Sequence, residues 1–368
     1  MKKVRIAVVG AGIMGSHHIL DIDALNNCEL AAVCDVDPKV LAKYADRKDV
    51  ALFENAQDMI DSGKVDAIIV STPHYFHVPI ALAAMEKGIH VLVEKPIAVQ
   101  KSEAEKLVKA AEAHPELKLA AMFCLRRMPV YRKLKSLIDS GELGTIRRIN
   151  WIITDWFRTQ HYYNSGTWRA TWSGEGGGVL LNQCPHQLDL MQWFFGMPNR
   201  ITARLYFGKY HDIEVEDEVS ALWEYPDGKT AVFIASTGET PGTNRLEITA
   251  ERGKVVLEKN TITFTRNEKT MEEYCRNLDL FDHPRETWNC AIPFKEGMPP
   301  IHREIISNFA DAILNGTELE APGIEGIRSL EIGNAMLLSQ LKGGTVDLPL
   351  DSAEFDSQLN SLIEKAQK

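Results

Sequence analysis

Val4-Arg5-Ile6-Ala7-Val8-Val9-Gly10-Ala11-Gly12-Ile13-Met14-Gly15 is the stretch that decides the fold. An apolar run of strand length ends at a glycine, and helical spacing begins near Ile13. In that setting Gly10 permits a tight turn, and Gly12 lets the backbone approach a pyrophosphate with no Cβ in the way. Gly15 lets the helix pack close against the strand. The helix start, with Ile13 and Met14 in its first turn, offers unpaired N–H donors and the positive end of the helix dipole. Asp35 closes the next apolar run, Glu29 to Cys34, 20 residues after Gly15. A carboxylate there accepts hydrogen bonds from both adenosine ribose hydroxyls and repels a 2′-phosphate. Val36 and Asp37, which follow it, offer no arginine to bind one. The expected cofactor is therefore NAD rather than NADP.

Working outward, Val65 to Val70, Ile89 to Val93 and Leu117 to Met122 are further apolar runs. Between them lie helical patterns such as Pro79 to Lys87, closed by Gly88, while Pro38 sits early in another helix, where its missing N–H has no partner to lose. Strand and helix alternating at this spacing predict βαβ units, hence an α/β fold with a doubly wound parallel sheet over residues 1–125. From residue 126 the pattern changes. A helical segment, Met128 to Ser140, stops at Gly141 and Gly144. Strand-like runs follow at Arg147–Phe157, Thr202–Phe207, Val219–Tyr225, Thr230–Thr237 and Arg245–Ala250. Turns at Pro226-Asp227-Gly228 and Arg252-Gly253 suit antiparallel hairpins. Helices are expected near His302–Asn315 and Ile324–Leu341, and again from Ser352, so residues 126–368 read as an α+β domain.

Composition agrees. At 368 residues the chain exceeds one ordinary domain, and 45% hydrophobic with 25% charged residues is globular usage. Lys+Arg 41 against Asp+Glu 51 gives a net charge of −10, which argues against nucleic acid or an anionic membrane surface as partner. No apolar stretch approaches the roughly 18 to 20 residues that cross a bilayer. Met1-Lys2-Lys3 and the run after it imitate a signal peptide, but Gly10, Gly12 and Gly15 break that run. The six cysteines form no C-x-x-C pair and suit reduced, mostly buried thiols with no metal site; the expected location is the cytoplasm.

Two clusters lie where open parallel sheets bind ligands, at the carboxyl ends of strands. Ser71-Thr72-Pro73-His74-Tyr75-Phe76-His77 follows one apolar run, and Glu94-Lys95-Pro96 ends another at Val93. With the glycine turn they resemble the Gfo/Idh/MocA oxidoreductases, the glucose–fructose oxidoreductase and inositol dehydrogenase family, over nearly the whole chain. The resemblance implies a Rossmann domain followed by a domain whose open, mainly antiparallel sheet carries the substrate site. It also implies a homodimer or homotetramer joined through that sheet. Thr72, Pro73, His77, Glu94 and Lys95 fall on its cofactor side, and Lys95 matches its catalytic lysine. A lysine beside a nicotinamide can hydrogen-bond the reacting oxygen and stabilise charge developing there.

Gly176-Gly177-Gly178-Val179-Leu180-Leu181-Asn182-Gln183-Cys184-Pro185-His186-Gln187-Leu188-Asp189 resembles the family's second signature. Asn182, His186 and Asp189 are spaced i, i+4, i+7, so one helix face is expected to present all three. His186 is the expected general acid/base. Asn182 stands where many members have Asp; an amide can orient a partner but cannot accept a proton. Asp189 caps, pairs or orients. Between Trp151 and Trp193 lie Trp156, Phe157, Tyr162, Tyr163, Trp168 and Trp172, interleaved with Arg158, His161 and Arg169. Rings stack on sugar C–H faces while polar groups meet the hydroxyls. Family precedent puts Trp168 and Arg169 in the substrate pocket. The resulting expectation is an NAD-dependent dehydrogenase of a secondary alcohol on a sugar, glycoside or cyclitol. A redox-neutral, NAD-retaining glycosidase or epimerase-like enzyme is the alternative, and a non-catalytic cofactor-binding regulator a third reading.

Overall fold

A computed structural model describes residues 2–277 and 286–367. The first sheet takes β1 (Val4–Val9), β2 (Cys28–Cys34), β3 (Ala51–Phe53), β4 (Ala67–Val70), β5 (His90–Val93) and β6 (Leu119–Ala121) in the order β3-β2-β1-β4-β5-β6. Every pairing is parallel. Alternate residues of β1 feed two different cores: Val4, Ile6 and Val8 enter one, Ala7 and Val9 the other. That is why the run is apolar throughout, as a sheet covered on both faces requires. The order reverses between β1 and β4, which opens a crevice at their carboxyl ends. The short edge strand β3 escapes the sequence pattern because its three residues are only half-buried.

The second sheet has nine strands. It comprises β7 (Ile146–Ile153), β8 (Arg200–Phe207), β9 (Glu216–Glu224), β10 (Thr230–Ser236), β11 (Asn244–Ala250), β12 (Gly253–Glu258), β13 (Thr261–Asn267), β14 (Thr287–Ile292) and β15 (Val346–Asp347). Only β7 and β10 pair in parallel; the other neighbours are antiparallel. In β9, Val219, Ala221 and Trp223 are buried while Ser220 and Leu222 are exposed, the alternation of a sheet with one covered face. The run from Arg147 leaves the sheet at Thr154, earlier than its hydropathy predicts. β12 to β14 extend the sheet beyond the strands read from sequence.

The chain after residue 300 ties the two sheets together. Ile301, Ile305, Ile306 and Phe309, from the helix Ile301–Asn315, share a core with Val4, Ile6 and Val8. The buried Lys101 begins the helix Lys101–Ala113, and its Nζ reaches Leu350 O at 2.8 Å and Glu331 Oε1 at 2.9 Å. Its backbone N–H donates to Asn334 Oδ1, so the helix Gly323–Lys342 is bonded to the first domain from within. No helix among the described residues is long and apolar enough to cross a membrane.

Candidate active site

The glycine turn is shaped by close backbone approach. Gly10 has φ +85°, and a Cβ on Gly15 would meet Gly10 O at 1.9 Å. At Gly12 a Cβ would meet nothing within 4 Å, which leaves open space beside the start of α1 (Ile13–Asp23). No side chain caps that helix, so its first N–H groups face this space unclaimed. Ile13 and Met14 lie exposed beside it. Across the crevice, Ser71 Oγ and Thr72 Oγ1 are buried without partners. Asp35 accepts from Ala11 N at 2.8 Å and from Asp37 N at 2.9 Å, which fixes the turn and leaves lone pairs for a ribose. An unobstructed cradle, uncapped donors and orphaned hydroxyls fit a dinucleotide across the carboxyl ends of β1 and β4.

Lys95 lies two residues beyond β5 and is joined to Pro96 by a cis peptide bond. Its Nζ donates to the carbonyl oxygen of Asn182 at 2.7 Å. Burial pushes the ammonium below its usual range, against the pull of Glu94. Two residues expected on the cofactor side make internal contacts. Glu94 is buried, with Oε1 2.7 Å from His18 Nε2 of α1 and Oε2 accepting from Lys95 N. Burial works to raise its carboxyl, but the His18 hydrogen bond and nearby positive charge hold it at about 2. His77 is also buried, its ring nitrogens against Pro96 O at 2.8 Å and Thr72 O at 2.7 Å, so it braces the two loops. The histidine that reaches the second domain is His74, whose Nδ1 lies 3.0 Å from Glu175 O.

The second signature does not form one helix. Val179–Gln183 winds as a π-turn, Cys184 breaks it, and Pro185–Phe195 continues as an α-helix. The i, i+4, i+7 arithmetic therefore fails, because a bend at Cys184 separates Asn182 from His186 and Asp189. Glycine is required before the bend, because a Cβ at Gly178 would meet Glu216 O at 2.0 Å. His186 has a buried Nδ1 with no partner, and burial with the nearby Lys95 charge lowers it to about 3. Its imidazole is neutral at neutral pH. Asp189 lies apart, paired with the buried Arg126 through Nε at 2.8 Å. Asn182 donates its side-chain N–H to Glu175, a buried carboxylate whose other oxygen accepts from Ala170 N.

Sequence reading missed Glu175, Glu216 and His18. Glu216 accepts from Gly178 N at 2.9 Å and Leu180 N at 3.0 Å and so holds the π-turn. Glu175 directly precedes the glycines, but nothing in its spacing reveals that the chain folds its carboxylate back on Asn182. Of the aromatic run, Trp151, Tyr163 and Trp172 fill the core, while Phe157 and His161 are exposed. Trp168 is half-buried and meets His74 edge-on, with centroids 5.6 Å apart. Arg169 Nη1 donates to Tyr162 Oη at 3.1 Å.

Two family descriptions match the chain. The oxidoreductase family with an NAD-binding Rossmann fold, GFO/IDH/MocA, spans residues 4–121, and the GFO/IDH/MocA C-terminal domain spans residues 131–256. The rhizopine catabolism protein MocA of Rhizobium meliloti is 30% identical over 53% of this chain and 58% of its own length. The match thus spans little more than half of that relative. The levoglucosan dehydrogenase of Pseudarthrobacter phenanthrenivorans is 24% identical over 96% of this chain and all of its own. The WlbA dehydrogenase of Bordetella pertussis, solved with NADH and UDP-GlcNAcA, is 25% identical, with a TM-score of 0.79 over 95% of this chain and 100% of that one.

Proposed function

This chain belongs to the Gfo/Idh/MocA oxidoreductases across both of its sheets, and from that premise we propose that it is an NAD-dependent dehydrogenase acting on a secondary alcohol of a sugar, glycoside or cyclitol. One observation carries the reading: Lys95, two residues beyond β5, meets the Asn182–His186 stretch of the other domain, with Nζ 2.7 Å from Asn182 O. Gly10 to Gly15, with Ile13 and Met14, would hold the pyrophosphate, and Asp35 would take the adenosine ribose. The Ser71 and Thr72 hydroxyls, on the loop that also carries Pro73 and His77, would hold the rest of the dinucleotide. When bound, NAD supplies the acceptor or donor of the hydride.

The chain's own residues do the remaining work. A lysine ammonium has three N–H donors, and Asn182 O engages one of them on Lys95. The other two hold the reacting oxygen and stabilise it as the hydroxyl proton leaves. His186, kept neutral by burial, takes that proton at a ring nitrogen and returns it in ketone reduction. Asn182 orients, and the Glu175 hydrogen bond fixes the direction of its amide. Trp168 and Arg169 line the sugar side.

Lys95→Ala tests the reading. NAD affinity is expected to stay within about threefold while turnover falls by about a hundredfold or more; unchanged turnover on a polyol panel would remove Lys95 from the mechanism. Glycoside cleavage without net NADH would replace the dehydrogenase by a redox-neutral enzyme. We further read the protein as a homodimer or homotetramer, supported by Leu222, Val232, Ile234 and Ile152 lying side by side on the outer face of the second sheet. The free cysteines support a cytoplasmic location.

A further inference from the structure

Beyond β7 the chain builds a basic, aromatic corner. Arg158 and Arg169 both lie against the ring of Tyr162, their guanidinium carbons 4.7 Å and 4.8 Å from its centroid. Arg158 also faces Trp156 at 5.2 Å, and Arg169 faces Trp168 at 4.7 Å. Trp168 meets His74, which follows Thr72 and Pro73 on the loop after β4. A continuous row of side chains thus leads from the reacting end of the site to the end of β7.

Neither guanidinium makes an ion pair among the described residues. Arg158 gives one hydrogen bond, to Phe157 O at 3.2 Å, and its Nε is buried without a partner. Arg169 gives one, to Tyr162 Oη. Several other arginines are paired: Arg126 with Asp189 and Glu325, Arg127 with Glu304 and Glu320, Arg47 with Asp23. In a protein with a net charge of −10, two half-buried arginines here share one ring and meet no carboxylate among the described residues. Glu175 carries negative charge toward Arg169, but its oxygens already accept from Ala170 N and Asn182 Nδ2.

The donor count says what fits. A neutral sugar hydroxyl both donates and accepts, so its site offers groups of both kinds. This corner offers mostly donors: two guanidiniums with unused N–H groups and Trp156 Nε1, buried and unpartnered. Gln183 Oε1 is an unpartnered acceptor beside them, on the side chain whose nitrogen lies 3.5 Å from the Tyr162 hydroxyl. A surplus of planar, forked cationic donors matches a group that only accepts, an ionised carboxylate or phosphate, which would also relieve the repulsion between the two cations.

We propose that the substrate is an anionic sugar, and that Arg158 and Arg169 bind its carboxylate or phosphate while the reacting hydroxyl lies at Lys95 and His186. The proposal rests on the reading of Lys95 and His186 as the reacting end. Specificity then comes from the second domain, at the far end of the aromatic row.

The test is calorimetric titration of the NADH-loaded protein with glucuronate, glucose 6-phosphate and glucose, repeated with Arg158→Gln, Arg169→Gln and the double variant. At least one anionic sugar should bind tenfold or more tighter than glucose, with an advantage that shrinks as salt rises. Each single variant should cut the advantage at least fivefold and the double variant erase it, with NADH affinity unchanged. The uronate and phosphate arms identify which anion the corner takes. The proposal is overturned if neither anionic sugar binds tighter than glucose, or if the preference survives in the double variant. A kcat/KM for NAD-dependent oxidation of neutral polyols that equals the value for the anionic sugars overturns it too, while leaving the dehydrogenase reading intact. Arginine-dependent binding of the anionic sugar without NADH formation from any sugar upholds the anion site and sinks the dehydrogenase reading.

Discussion

At the scale of single residues, Asn182 is the position where structure changes the expectation most. An aspartate there would put a second carboxylate against Glu175, and neighbouring carboxylates do not both ionise readily. Asn182→Asp is therefore expected to lower turnover by about tenfold or more, and Glu175→Gln in the same chain to restore much of it; an unaided gain from Asn182→Asp would contradict the pairing. The pH profile follows from two lowered groups. His186 titrates near 3, so alcohol oxidation should show no acid limb near the ordinary histidine value of 6.5. Lys95 donates only while protonated, and its value is depressed, so activity should fall with rising pH below the ordinary 10.5. A profile of kcat/KM checks both limbs. Asp35→Ala should weaken NAD by about 1–2 kcal/mol and NADP by less, measured by titration of each; equal losses would mean that the carboxylate only holds Ala11 and Asp37.

At the scale of elements, the π-turn Val179–Gln183 depends on one buried carboxylate. Glu216 accepts from Leu180 N within it and from Gly178 N just before it, and burial pushes its carboxyl up to about 7. A raised acid keeps its proton in the folded state while the unfolded chain has lost it, so stability falls as pH rises from the unfolded value through 7. Glu216→Gln, which keeps an acceptor and cannot titrate, should flatten the change in Tm between about pH 6 and about pH 8. Glu216→Ala should cost about 1–3 kcal/mol at any pH by stranding two buried N–H groups. Calorimetric scans at both pH values decide the matter. The element boundaries that sequence could read were those with a strong period or a glycine stop, such as the helix ending before Gly88. The π-turn was illegible because its apolar run satisfies a helical period equally well, and only contact with Gly178 and Glu216 imposes the bend.

At the scale of the whole molecule, the second sheet keeps an apolar strip on its outer face. Leu222 is 46% exposed and stands opposite Val232, with Ile234 and Ile152 in the next row. On the proposed oligomer, Leu222→Arg should give smaller species by light scattering while the monomer keeps its NAD affinity; an unchanged mass would place the interface elsewhere. Inside the molecule, Lys101, Asn334 and Glu331 bind the two domains together through buried polar contacts. Lys95 of the first domain and His186 of the second are thereby held on a common frame.

The sequence by itself determined the parallel sheet and the glycine turn with Asp35, and it singled out Lys95 and His186 as candidates. These rest on local patterns: a strand that must be apolar on both faces, a turn that must be glycine, and motifs fixed to strand ends. Tertiary structure alone decided which side chains converge. It drew Glu94 and His77 into bracing roles, locked Asp189 onto Arg126, folded Glu175 against Asn182, and left Arg158 and Arg169 together on Tyr162 without a carboxylate. Residue spacing carries direction along one element only. Whether two charges meet across elements depends on packing, and that is set by backbone approach at Gly178 and by burial that no one-dimensional pattern records.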